Sequence, residues 1–198
     1  MAWTTLGIIL HGIWRGTRHH AGIISGKAPG WQRSSLFYLL ATTIFLAFSI
    51  IFWKPLSLTF SPGVRTLVLA AGGLTYFPGL AFILWGRLAL GRMYFVSTSF
   101  GAQLFTDHHL VTHGLFAIVR HPMYLGLIAA AIGSLLLYQT WTTVAFTIFA
   151  PFLLFRAYRE ERALAAEFGE EWQAYAAHVP MFLPGWKIKE KDKWTSPL

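Results

Sequence analysis

The stretch VRHPMYLGL, residues 119–127, sets an arginine, a histidine and a proline at the edge of a long apolar run. Charge beside a membrane-type segment is costly unless it is paired or used. Pro122 suits the first turn of a helix, where its missing N–H costs nothing. His121 precedes it, and a residue before proline is pushed out of helical geometry. The sequence therefore predicts a sharp corner at which a loop becomes a membrane helix. The free N–H groups of that first turn favour an anion such as a carboxylate or phosphate. Taken alone, the stretch fits a plainer role equally well, with Arg120 and His121 anchoring the helix at lipid headgroups.

The composition agrees with a membrane setting. Of 198 residues, 55% are hydrophobic and 12% charged, and the mean hydropathy is +0.51. Soluble domains carry about twice that charged fraction, ~25%. Nine tryptophans and seventeen phenylalanines match the ring-rich composition of bilayer interfaces. No cysteine is present, which excludes disulfides, thiolate catalysis and Cys-ligated metals. The net charge of +8 comes from scattered basic residues with no dense tract, a pattern that points to anionic lipid headgroups and not to nucleic acid. No Lys or Arg precedes the first apolar run, so a cleavable signal is not expected.

Two stretches reach the ~20 apolar residues a crossing needs: Ser35–Trp53, and Val64–Trp85 with Gly72, Gly73, Pro78 and Gly79 inside it. Such interruptions are tolerated where helices pack closely or line a cavity. After a polar stretch, residues 91–113, a helical hairpin is expected, with arms at about Pro122–Tyr138 and Thr142–Arg156 joined by QTW. The second arm continues as a cytoplasmic helix, with Phe155, Ala157, Leu164, Ala165 and Phe168 holding an apolar face. Residues 1–14 span only ~20 Å at ~1.5 Å per residue, yet a crossing there closes the charge count. With five crossings and an outside N-terminus, segments 15–33, 87–120 and 156–198 hold 14 of the 16 Lys and Arg residues, the positive-inside pattern. Seven of the eight acids lie at 160–192. The expected fold is thus an all-α integral membrane protein of about five transmembrane helices, including the C-terminal hairpin, with a cytoplasmic cofactor pocket. Residues 1–90 form the N-terminal helices; residues 91–198 form the functional region and end in a solvated tail.

Arg156, Glu160 and Leu164 recur at i, i+4 and i+8 and share one helix face. An arginine at the membrane boundary can bind the acidic head of a lipid-like molecule. A carboxylate one turn away can bind an ammonium group or a ribose diol. The plainer alternative is a surface ion pair worth a few tenths of a kcal/mol. In FGEEWQAYAAHVPMFLP, the Phe-Gly pair reads as a helix break and restart, and Pro180 and Pro184 end the helix and turn the chain back. His108, His109 and His113 have only Asp107 nearby as a carboxylate, a poor metal set.

Together, HLVTHGLFAIVRHPMYLG, REERALAAEFGEEWQAY and VPMFLP resemble the isoprenylcysteine carboxyl methyltransferase family, with its bacterial and archaeal relatives and the wider phospholipid methyltransferase group. The resemblance covers about residues 90–186. It implies a membrane methyltransferase that encloses S-adenosylmethionine on the cytoplasmic side. The segments His108, His109, Leu110 and Val111, then His121, Pro122, Met123 and Tyr124, fall where the family contacts its cofactor. Glu160 matches its cofactor-binding glutamate, Gln103 a cofactor-binding glutamine, and Arg156 its arginine at the substrate carboxylate. Phe116 stands where eukaryotic members have tyrosine, keeping a ring for the cofactor but no hydroxyl. Those members also carry N-terminal helices absent from a chain this short. A compact chain of this kind suggests a prokaryotic plasma membrane.

Methyl transfer from a sulfonium is an in-line displacement, and a carboxylate nucleophile is already ionised, so no general base is needed. The residues then act by positioning, with Tyr124, Phe116 and nearby rings favouring the cation by about 0.5–2 kcal/mol. The expected partners are a lipid-like or prenylated small-molecule acceptor and membrane lipids, with oligomeric state left open. The acceptor tail would pass between helices near the Gly/Pro-interrupted span. Three alternatives keep the topology: a phospholipid N-methyltransferase, an NADPH-binding sterol-reductase-like protein, and a non-catalytic scaffold.

Overall fold

A computed structural model describes residues 35–91 and 109–183. The expected crossing at residues 1–14, Pro184 and the tail beyond it, and Gln103 and His108 lie outside these ranges. Within them the chain is helical: α1 Ser35–Ile51, α2 Pro62–Leu90, a 3-10 turn Gly114–Ala117, α3 Pro122–Tyr138, α4 Trp141–Phe149 and α5 Phe152–His178. No strand occurs among the described residues, which show only one isolated bridge, Pro55 to Thr140.

The hydropathy of the chain explains its outside as well as its inside. α2 and the run Trp141–His178 are long and apolar enough to cross a membrane, and only 22% of each apolar window is buried within the protein. Leu39, Ile44, Ile50, Leu67, Leu74 and Ile148 point outward with more than half their surface free. Water would penalise that surface and a bilayer would not. α2 alone extends ~43 Å at ~1.5 Å per residue, longer than the hydrocarbon core.

α2 and α3 form the tightest seam. Gly72, Gly79 and Gly86, each seven residues from the next, are buried on α2; Gly126, Ala130 and Gly133 are buried on α3. A Cβ on Gly79 would sit 2.7 Å from the Ala130 nitrogen and 2.8 Å from the Gly126 carbonyl oxygen. One on Gly133 would meet the Tyr76 backbone at 2.5 Å. Small residues here let two backbones touch, the means by which helices associate where lipid removes the hydrophobic driving force. Leu80, Ile83 and Ala130 continue the contact, with Tyr76 and Met123 packed on them. The glycines of the second predicted span thus serve close packing, and the passage for an acceptor tail expected beside them is closed along α3. Gly73 faces open space. Gly79→Ala is therefore expected to destabilise the protein by about 1–3 kcal/mol, the usual overpacking cost, in thermal unfolding. Gly73→Ala should instead stabilise slightly, by about 0.5–1 kcal/mol from helix propensity.

The hairpin turns where expected. Gln139 takes the left-handed conformation (φ 49°) and Thr140 caps α4, trading hydrogen bonds with Thr143. The end of α1 docks on this tip: Leu56 N donates to the Gln139 oxygen at 2.7 Å, Trp141 N to the Lys54 oxygen at 3.1 Å, and Thr142 Oγ1 to the Ser49 oxygen at 2.9 Å. The second arm differs from expectation in being divided at Ala150–Pro151. Pro151 has no N–H to extend the ladder. Both residues keep helical torsions, so this is an interruption more than a corner. The break at Phe168–Gly169 is present as well, with Gly169 at φ 50° inside α5.

Candidate functional site

The corner at residues 120–122 is where three parts of the chain meet. His121 has φ −122° and ψ 59°, and Pro122 opens α3. At this corner Arg120 N donates to the Pro180 oxygen at 2.9 Å and His121 N to the Met181 oxygen at 3.1 Å. The returning segment after α5 is thereby strapped beside the start of α3. Tyr175 adds a brace from α5, its hydroxyl donating to the Phe116 oxygen at 2.6 Å. Burial pushes the Tyr175 phenol up, so it stays protonated and keeps donating.

Arg120 is not at the headgroups. It is 6% exposed, which overturns the anchoring role expected for it. Its Nε and Nη2 donate to Glu161 Oε1 and Oε2 at 2.7 and 3.0 Å. Its Nη1 donates to the carbonyls of Ala176 and Val179, both at 2.8 Å, and the guanidinium lies 5.7 Å from the centre of the Trp172 ring. A forked donor suits this task as a lysine would not. Glu161 is fully buried and also takes His121 Nε2 at 3.2 Å. Burial alone would raise its carboxyl; hydrogen bonds from His121 and Arg120 outweigh that and hold it below the usual carboxylate range.

Glu161 is the residue that the motif reading missed. Its signal lay in the apolar face of α5: Ala157, Glu161, Leu164, Ala165, Phe168 and Trp172 follow helical spacing, with Ala157 and Trp172 buried. A carboxylate amid such a face requires a buried cation. Phe155, assigned to that face from the sequence, is 68% exposed, because two residues before the buried Ala157 it points to the opposite side of the helix.

Immediately outside this buried pair lies a second, half-exposed cluster. Tyr124 Oη donates to Glu160 Oε1 at 2.5 Å. Arg156 Nε reaches both the Tyr124 hydroxyl at 2.7 Å and Glu160 Oε1 at 3.3 Å. His121 Nδ1 stands 4.0 Å from Glu160 Oε2. The His121 ring stacks on Tyr124 at 5.6 Å and contacts Phe182 at 5.7 Å. His121, Tyr124, Arg156 and Glu160, chosen from two separate stretches of sequence, are therefore brought together. Phe116 and Val111 are buried, Leu110 is half-buried and His109 is exposed. Pro122 is fully buried, and Met123 packs toward α2.

This joining of an RHPxY corner to an Arg-x-x-x-Glu-Glu helix is where the comparisons with known proteins converge. The model of the isoprenylcysteine carboxyl methyltransferase (ICMT) family matches residues 78–166. That segment resembles the ICMT family over 89 residues, a little under half of the chain. The chain is 39% identical over 80 residues to a probable protein-S-isoprenylcysteine O-methyltransferase of Oryza sativa subsp. indica, covering 39% of this chain and 42% of the relative. It is 36% identical over 80 residues to the Schizosaccharomyces pombe protein-S-isoprenylcysteine O-methyltransferase, covering 39% of this chain and 34% of the relative. With the Tribolium castaneum protein-S-isoprenylcysteine O-methyltransferase the identity is 37% over 89 residues, 42% of this chain and 31% of the relative. The aligned part of the ICMT-like chain thus spans less than half the length of these curated relatives, all of them eukaryotic. Among solved structures, the fold resembles that of the eukaryotic intramembrane Ras methyltransferase ICMT, with a TM-score of 0.50 and 23% identity over 76% of this chain and 53% of that one.

Proposed function

We propose that the protein transfers a methyl group from S-adenosylmethionine to the carboxylate of a lipid-like, isoprenylcysteine-type acceptor at the membrane surface. The observation that carries this reading is the Tyr124–Arg156–Glu160 cluster, half-exposed at the junction of an apolar helix and a charged one. Its donor set fits both ligands. Glu160 offers an anionic acceptor, and the rings of His121, Tyr124 and Phe182 border it, a surface suited to a sulfonium cation. Arg156 offers a forked cation at the end of the apolar part of the 141–178 run, suited to an acidic headgroup. The relatives are protein-S-isoprenylcysteine O-methyltransferases, which agrees with a carboxylate acceptor over a phospholipid amine.

Glu160, His121 and Tyr124, together with the segments that hold Gln103, His108, His109, Leu110, Val111, Phe116, Pro122 and Met123, would hold the cofactor; residues 91–198 would then supply the methyltransferase region and residues 1–90 its membrane support. S-adenosylmethionine supplies an electrophilic methyl carbon whose leaving group is a neutral thioether. Arg156 orients the acceptor so that one carboxylate oxygen faces that carbon. A carboxylate acceptor would displace the thioether directly and would need no proton exchanged, so the part left to Arg156, Tyr124 and Glu160 would be to bind and align the two reactants. The concentration of basic residues in 87–120 and 156–198 supports a cytoplasmic position for this site by the positive-inside rule.

Incubation of membranes holding the protein with methyl-labelled S-adenosylmethionine and N-acetyl-S-farnesylcysteine, followed by mass spectrometry, tests the reading. The expected product is a methyl ester that releases labelled methanol in alkali. Label confined to alkali-stable lipid amines, or no label at all, would overturn it.

A further inference from the structure

The half-exposed cluster is ordered by a residue that does not belong to it. Glu161 accepts two hydrogen bonds from Arg120, at 2.7 and 3.0 Å, and lies fully buried. A carboxylate held in this way only accepts hydrogen bonds. Its contact with His121 Nε2 at 3.2 Å therefore requires the proton to be on Nε2. In the neutral imidazole the remaining ring nitrogen, Nδ1, then carries a lone pair directed toward Glu160 Oε2, 4.0 Å away. His121 is 7% exposed and its ring is held by Tyr124 and Phe182, so the imidazole cannot swing round to present another edge.

We infer that Glu161 is a positioning residue that fixes His121 as its Nε2–H tautomer, so that Nδ1 and Glu160 Oε2 form a paired acceptor for a donor-bearing cationic group of the ligand, such as an ammonium. Two acceptors facing each other across 4.0 Å leave a gap that a hydrogen-bond donor bridges. A carboxylate or phosphate placed there would meet a lone pair and a negative charge. The pair therefore selects amine-bearing ligands and rejects anions, while Arg156, hydrogen-bonded to Tyr124 and to the other oxygen of Glu160, takes the anion. This deepens the proposed function, since S-adenosylmethionine carries an α-ammonium group. The tautomer itself does not depend on that reading.

The test uses the full chain in lipid nanodiscs with nitrogen-15-labelled histidine. The His121 signals are identified by their loss in His121→Gln, and independently by their contact with the Tyr124 and Phe182 rings should that variant not fold. The expected spectrum shows a protonated Nε2 and an unprotonated Nδ1 at pH 8. Either a protonated Nδ1 or an imidazolium at that pH overturns the inference, whether or not the protein methylates anything. In parallel, calorimetry compares S-adenosylhomocysteine with its deaminated analogue. A loss of tenfold or more is expected for the analogue in the native protein, reduced to less than threefold in Glu161→Gln. Equal binding of the two by the native protein overturns the ammonium assignment. Binding of neither compound, with the expected tautomer present, overturns the cofactor reading and leaves the role of Glu161 in place.

Discussion

Replacing Arg120 by alanine is expected to cost about 3–5 kcal/mol, the usual penalty for stranding one member of a buried ion pair, and to leave little folded protein. The mutation removes more than a charge. Glu161, fully buried, would retain only its contact with His121, and the carbonyls of Ala176 and Val179 would lose the donor they share. Glu161→Ala should be milder, since Arg120 would keep those two carbonyls. Thermal unfolding in detergent gives the comparison; an Arg120→Ala protein as stable as the native one would show that the pair is not structural. The same pair gives a pH dependence. The Glu161 carboxyl is held below its ordinary range in the folded protein, so its contribution is complete above the unfolded value, ~4.3. It is then lost as pH falls through the lower folded value, and melting temperature should decline in acid below pH ~4.5. Arg120→Ala, where it can be recovered, should not show that decline to the same extent.

The neighbouring glutamate should behave in the opposite manner. Glu160→Ala is expected to weaken S-adenosylhomocysteine binding by about 10- to 100-fold, as loss of a charge-assisted hydrogen bond of ~1.5–3 kcal/mol would do. Folding should be nearly untouched. The Glu160 side chain is 23% exposed and its Arg156 partner 35%, and pairs this open to solvent contribute about 0–1 kcal/mol. Two adjacent acids would thus separate cleanly, one measured by unfolding and the other by calorimetry. Unchanged affinity in a folded Glu160→Ala protein would remove Glu160 from the cofactor site.

Much of this arrangement could be read in advance because its causes are local. Hydropathy located α1 and α2. The steric demands of Pro122 and Gly169 located a helix start and a helix break. The i, i+4 relation of Arg156 and Glu160 put them on one face, where they are hydrogen-bonded. The errors have a common cause in partners distant along the chain. Arg120 looked like an anchor because the acid that neutralises it lies 41 residues away. Glu161 sits in a run of four charged residues, and only the apolar neighbours one turn away on either side mark its burial. Whether Gly72 and Gly79 served a cavity or a contact depended on Leu136, Leu137, Gly126 and Ala130 of a helix more than forty residues further on.

That glycine seam also decides which parts of the protein are able to yield to a ligand. Two backbones in direct contact do not slide by fractions of an ångström, because each carbonyl ridge would have to climb over the next. Displacement along the seam would come in whole helical turns of ~5.4 Å, a step no small ligand demands. α3, and with it His121 and Tyr124, is therefore the stationary jaw. Accommodation falls to the half-exposed side chains of α5, Arg156 and Glu160, because Arg120 locks both sides of the Gly169 kink to the same corner.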